Sequence, residues 1–334
     1  MSCGPTTGYG FYSAGLVQQG IDTVASSPLL QPRVMFAGGC TASTFTLRLA
    51  TELMQLVWPN AGAVHNRSNE LTWCAYNPYC EVKRPFLSQT DAYAEPEALQ
   101  KVATHYAATH GGSLVFKASS DHTTKCQSKA LQELGTHTVI LVPDNVLKVS
   151  LCEVRDCFTW IIAPEQGHMV DRSTGEVVAG VRNHKANPHA REPCNMWRRG
   201  LPSEKQPLVW LNTSTLVKTL QDQQAKYDSW AEKLQQSHGW PRHGLQRAEA
   251  LLAWETSKDE ADLKRSVASW RALMDIWQVP LNASTIEAFL RQHPQWGSRP
   301  TTRLPIANFE EVQTTLAGGT YSWMLDVADA HTHR

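Results

Sequence analysis

No apolar run in this 334-residue chain approaches the roughly 18 residues that a membrane span requires. The first fifteen residues, MSCGPTTGYGFYSAG, lack the basic and apolar regions of a secretory signal. Charge of one sign is missing as well: 31 Lys plus Arg balance 31 Asp plus Glu. No global field therefore favours nucleic acid, and any anion site has to be built locally. Cysteine is sparse for the length, at eight residues, and the spacings Cys74/Cys80 and Cys152/Cys157 match no zinc pattern. The expectation is mostly buried thiols and no metal. These absences point to a soluble cytoplasmic protein with no membrane or nucleic-acid partner. The alternative location is the Golgi lumen, as a domain freed of its anchor, and the oligomeric state is left open.

Three Asn-Xaa-Ser/Thr sequons are present, at Asn66, Asn212 and Asn282, although a tripeptide this short recurs by chance.

Residues 1–30 are rich in Gly, Ser, Thr and Gln without periodicity and read as an irregular arm. Residues 31–330 read as one α/β domain, with a central parallel sheet flanked by helices. Apolar strands at Val34–Ala37, Ser113–Lys117 and Thr138–Val142 alternate with helical patterns after residue 44, over 96–109 and over 125–134. The second of these helices should stop at Gly111-Gly112. Between residues 162 and 207 the pattern dissolves into a loop-rich insertion containing Pro164, Gly167, Pro188, Pro193 and Pro202. Its histidines, His168, His184 and His189, have no regular metal spacing. The last third is helical, with Leu263, Val267, Trp270, Leu273, Met274 and Trp277 on one face and Leu216, Leu220, Tyr227, Trp230 and Leu234 on another.

The most informative segment is RVMFAGGCTASTFT, Arg33 to Thr46. An apolar strand enters a Gly38-Gly39 turn, small hydroxylated residues follow, and then a helix begins. Glycines let successive backbone N–H groups converge, and the helix N-terminus adds about half a positive charge, so the segment suits a phosphate or sulfate. It is not a Walker A loop, because no second glycine and lysine precede Ser43 or Thr44.

These residues resemble the phosphosulfate-binding loop of sulfotransferases that use 3′-phosphoadenosine 5′-phosphosulfate (PAPS). Gly39, Cys40, Thr41, Ala42, Ser43 and Thr44 fill its places, with Cys40 where the family carries a cation. A strand leading into Pro143, Asp144, Asn145 and Ser150 resembles the family's 3′-phosphate element, with Pro143 in the arginine place. SLVFKASSDH resembles the Lys-Thr-His strand end, with Lys117 matching, Ser119 at the histidine place and His122 three residues beyond. In the tail, Trp254-Glu255-Thr256 and Trp277-Gln278-Val279-Pro280 stand where the family has a strand end and its following helix. The segment from Arg299 to Leu325 then resembles the closing segment of the carbohydrate sulfotransferase branch, nearest in pattern to the bacterial trehalose sulfotransferases. No motif is complete, but their order is preserved.

The resemblance implies a P-loop-like sulfotransferase fold and transfer of a sulfonate from PAPS, without a metal, to a hydroxyl or amine of a small-molecule or carbohydrate acceptor. It implies Lys117 on the sulfonate, with His122, His65 or Glu70 as base. Gly39, Cys40, Thr41, Ala42, Ser43 and Thr44 would lie at the phosphosulfate, and Asn145 and Ser150 at the 3′-phosphate. Arg299 and Arg303 would compensate for Pro143, and Arg48 or Lys117 for the cation lost at Cys40. Two other classes stay open: a catalytically degenerate nucleotide- or glycan-binding protein of this fold, and an atypical P-loop phosphotransferase.

Overall fold

The computed structural model describes residues 33–38, 41, 43–67, 70–73, 104, 107–119, 137–155, 166–179, 207–236, 242–257, 259–293 and 304–325. The arm, Gly39, Cys40, Ala42, His122, Arg299, Arg303 and the helical pattern at 125–134 lie outside the described residues. The chain divides into two compact units, residues 1–142 with 230–295, and residues 143–229 with 296–334.

The first unit is built on a six-stranded sheet. Its strands are β1 (Arg33–Ala37), β2 (Gly62–Arg67), β3 (Glu70–Trp73), β4 (Leu114–Ser119), β5 (His137–Val142) and β9 (Arg242–Arg247), in the spatial order β3-β2-β4-β1-β5-β9. All neighbours pair in parallel except the edge strand β3, which runs antiparallel to β2. The architecture is therefore α/β with a mostly parallel sheet. In β1 and β5 every residue is buried, as expected of parallel strands covered on both faces.

One face of this sheet, carrying Ala63, Val115, Met35, Ala37, Val139 and Leu141, packs with helix α1 (Ser43–Gln55) and the later helices α4 (Ala248–Leu251), α6 (Glu260–Ile276) and α7 (Ala283–Gln292). Leu53, Trp270, Leu273, Met274, Trp277, Ile286 and Leu290 are fully buried there, each fully buried aliphatic side chain contributing on the order of 1.5–3 kcal/mol. The six-residue apolar face predicted for the helix at 260–276 is buried throughout.

Helix ends follow their chemistry. Asp259 caps α6 by accepting from Ala261 N at 2.7 Å, and Asn282 caps α7 by accepting from Thr285 N at 2.8 Å. The helix predicted to stop at Gly111-Gly112 does so: Gly111 takes φ +64° and its N–H reaches Ala107 O at 2.8 Å. A Cβ on Gly112 would lie 2.1 Å from the carbonyl oxygen of Asn60.

The second unit holds an antiparallel sheet in the order β7 (Val177–Ala179), β6 (Gly167–Val170), β8 (Leu208–Leu211). Helix α2 (Val146–Arg155) contacts β6 and β8, and α8 (Phe309–Leu316) precedes a short 3₁₀ turn at Ser322–Leu325. Helix α3 (Thr213–Gln236) follows β8, with Leu216, Leu220 and Tyr227 buried as its pattern predicts. Strands β6 and β7 stand where the sequence reads as loop. They are short, and Val177 is exposed, so neither carries the apolar run that marks a strand in sequence. Asn308 extends the outer side of β8: its Nδ2 donates to Leu211 O at 2.8 Å and its Oδ1 accepts from Leu211 N at 3.0 Å. Beside it, Val209 N reaches Pro305 O at 2.8 Å and Ala307 N reaches Val209 O at 2.7 Å.

One motif placement differs from expectation. Trp254-Glu255-Thr256 lies within helix α5 (Ala253–Ser257), not at a strand end, and among the described residues the last parallel strand is β9, upstream. Its sequence, RHGLQR, has Leu245 as its one large apolar side chain, so it lacks the apolar run that marks a strand. Gly244 is where Ile276 closes in, since a Cβ there would lie 2.3 Å from Ile276 Cδ1.

Candidate functional site

The sheet order places β1 between β4 and β5, with β2 beyond β4. From β1 the chain goes to one side, to β2, and later crosses to the other, to β5. This reversal makes the carboxyl ends of β1 and its neighbours the position where open α/β sheets accept ligands. Gly38 follows Ala37, the last residue of β1, and is buried. Thr41, 2% exposed, donates its hydroxyl to Gly38 O at 3.0 Å, closing the turn from within. Helix α1 begins at Ser43, so Ser43 and Thr44 form its first turn, which contains no acidic residue to compete for an anion.

Lys117 lies on β4, in register with Met35 of β1 and His65 of β2. Parallel neighbours are about 4.8 Å apart, so two of the four candidate catalytic residues sit side by side in the sheet. Lys117 is only 7% exposed, on the face that carries Val115. Lysines are seldom buried this deeply. Ser119 pairs with Ala37 one pleat further on, level with the start of the loop. Glu70 opens β3 and pairs with Arg67 across a register shift that separates it from His65.

Arg48 extends along α1 in the C-terminal direction: its Nε donates to Glu52 Oε1 at 2.6 Å. The second oxygen of Glu52 meets Nε2 of His293 at 2.6 Å. The His293 side chain is 6% exposed, and its Nδ1 is buried without a hydrogen-bond partner. This Arg48–Glu52–His293 cluster is only half legible in sequence, where the i,i+4 spacing of Arg48 and Glu52 shows but the contact with His293, 241 residues away, does not.

Asn145 and Ser150 belong to the second unit, and both are buried. The Asn145 amide donates to Met324 O at 2.8 Å, and its Oδ1 accepts from Lys148 N at 3.2 Å. Ser150 donates to Val146 O, one turn back, at 3.1 Å. Cys152, two residues on, is disulfide-bonded rather than a thiol. Every other cysteine lies outside the described residues, and so therefore does its partner. In the same unit, the His168 ring stacks on Trp210 with centroids 4.8 Å apart, and burial lowers its pKa.

At the opposite, amino-terminal end of the first unit's sheet is a second buried basic side chain. Arg33 is fully enclosed: its Nε donates to Trp277 O at 2.7 Å, Nη1 donates to Ser113 Oγ, and its guanidinium carbon lies 4.7 Å from the Trp58 ring centroid. Burial pushes its pKa down to about 10, which leaves it charged at neutral pH.

Among the described residues no group of three or more His, Cys, Asp or Glu is placed to hold a metal ion, and no helix is long and apolar enough to cross a membrane. Comparison with protein-family models, with curated proteins and with solved structures finds no match.

Proposed function

We propose that this protein is a sulfotransferase, moving a sulfonate from PAPS to a hydroxyl or amine of a small-molecule or carbohydrate acceptor. One observation carries the reading: a Gly-turn and helix start follow the central strand at the sheet's topological reversal, with the buried Lys117 on the adjoining strand and His65 beside it. In-line sulfonate transfer builds negative charge on the leaving phosphate oxygen. The first turn of α1 and the Lys117 side chain are the described groups of this unit suited to meet it, and the backbone N–H groups after Gly38 join them on the resemblance alone. His65 is the base to test first, because its strand position adjoins Lys117. Asn145 and Ser150 keep their 3′-phosphate role on the resemblance alone, as do Gly39, Cys40, Ala42, His122, Arg299 and Arg303 their places.

A second reading, a nucleotide or glycan binder without turnover, draws on the engagement of Arg48 with Glu52, which leaves the cation lost at Cys40 to be replaced by Lys117.

Calorimetric titration with 3′-phosphoadenosine 5′-phosphate, with ATP and with inorganic sulfate tests the lineage. Metal-independent binding of the first, tighter than of the others, supports it. Magnesium-dependent ATP binding instead would make the protein a phosphotransferase. Turnover of labelled PAPS over a panel of hydroxyl and amine acceptors then separates enzyme from binder. Of the two compartments left by the sequence, the disulfide at Cys152 favours the lumenal one, since disulfides are rare in the cytosol.

A further inference from the structure

We infer that Asn282 is an N-glycosylation site, carrying its glycan on Nδ2 at the exposed start of helix α7. The fold treats the three sequons differently, and that difference stands whether or not the protein is a sulfotransferase.

Asn66 lies on β2, a strand hydrogen-bonded on both sides, to β3 and to β4. Asn212 is half-buried, its backbone N–H is held by Gln166 O at 2.9 Å, and its Oδ1 accepts from Ser214 N at 3.2 Å and Ser214 Oγ at 2.8 Å. Asn282 is exposed, as are Pro280 and Ser284 beside it. Its side chain is oriented by the cap alone: Oδ1 accepts from Thr285 N at 2.8 Å, from Thr285 Oγ1 at 2.9 Å and from Ser284 Oγ at 2.7 Å. All three bonds use the oxygen. The amide nitrogen, the atom a glycan is joined to, takes no part in the cap, so the helix N-terminus stays capped after modification. The hydroxyl of the sequon's third residue already reaches the asparagine side chain.

Glycan transfer needs a lumenal, oxidising compartment, and a second, unrelated observation points there: Cys152 is disulfide-bonded. The co-reactant is an oligosaccharide carried on a polyprenyl diphosphate. The bond from the anomeric carbon to the diphosphate oxygen breaks, and polyprenyl diphosphate leaves with the electron pair. The anomeric carbon bonds to Nδ2, which loses one proton to the transferase's base.

The full chain, directed into the endoplasmic reticulum of cultured animal cells by an added cleavable leader, tests this. The secreted protein should lose the mass of a glycan on treatment with peptide N-glycosidase. Release in ¹⁸O-water should convert Asn282 to labelled aspartate. Because Asn282→Gln also removes the cap, the decisive variant is Ser284→Ala, which destroys the sequon while keeping Asn282 as acceptor for Thr285 N. It should abolish label at residue 282, and Ser284→Thr should retain it. An unlabelled Asn282 peptide from folded, secreted protein overturns the site, as does label at residue 282 that survives Ser284→Ala. Recovery of Cys152 as a free thiol from that protein overturns the compartment argument.

Discussion

The two ends of the parallel sheet each bury a basic side chain, and they bury it differently. At the amino-terminal end, Arg33 spends its donors on the Trp277 carbonyl and the Ser113 hydroxyl and stacks near Trp58. Those partners lie 244 and 80 residues away in sequence, so the guanidinium ties α6 and the start of β4 to β1. Towards the other end, Lys117 is buried two residues before the close of β4, level with Met35 and one pleat below the loop. A planar fork with five donors suits the fixed carbonyl and hydroxyl acceptors of a structural tie. A single ammonium on a flexible stem suits a group that follows charge moving during a reaction. The same burial thus serves cohesion at one end and, on our reading, chemistry at the other.

The sharpest way to break that contrast is Lys117→Ala. Loss of a donor at the developing charge should lower sulfonate transfer by about 10²–10³-fold, while affinity for 3′-phosphoadenosine 5′-phosphate changes far less. Equal losses in turnover and affinity would place Lys117 with the structural residues. Next in size is Arg33→Met, expected to lower unfolding free energy by about 3 kcal/mol, because hydrogen bonds to a charged donor are lost and their buried acceptors are left unmade. Urea denaturation measures it, and an unaltered midpoint would remove the cohesion argument. Lys117→Met supplies the cross-check: as an apolar replacement of similar length it should lower the midpoint by less than Arg33→Met does, and an equal loss would make Lys117 a structural tie as well.

The smallest effect concerns pH. With its folded value near 10, pushed by burial below the ordinary arginine value, Arg33 is charged in both states below about pH 9. The unfolded chain binds the extra proton only between those two values, so stability gains from Arg33 as pH rises through that alkaline window. Between pH 5 and 7 any slope must come from elsewhere. His168 is one source: burial lowers its pKa from 6.5, so its contribution is complete above that value and is lost as pH falls towards the folded one. His168→Phe, which preserves a ring against Trp210, should flatten the stability profile there. Thermal melts across that range would detect an unchanged slope.

What was legible in the sequence follows from how each element is buried. Strands β1, β4 and β5 are interior and covered on both faces, and they show as continuous apolar runs. Helix α6 shows through its tryptophan- and leucine-lined face. β9 was hidden because its alternation is carried by Arg, His and Gln on an edge, and β6 and β7 because they are too short. Within the candidate site, the glycine turn and Lys117 are local signals and could be read. The pairing of Lys117 with His65 depends on which strands become neighbours, and the His293–Glu52 contact on a helix that returns late in the chain. Neither leaves a trace in local spacing.

Asn308 has a consequence for solubility. By bonding both polar groups of Leu211 it acts as a surrogate strand residue, and with Pro305 and Ala307 it occupies the side of β8 turned away from β6. An open row of amides and carbonyls invites a neighbouring molecule to extend the sheet. Truncation before residue 304 would strip off that cover, and concentrated protein should then self-associate through β8.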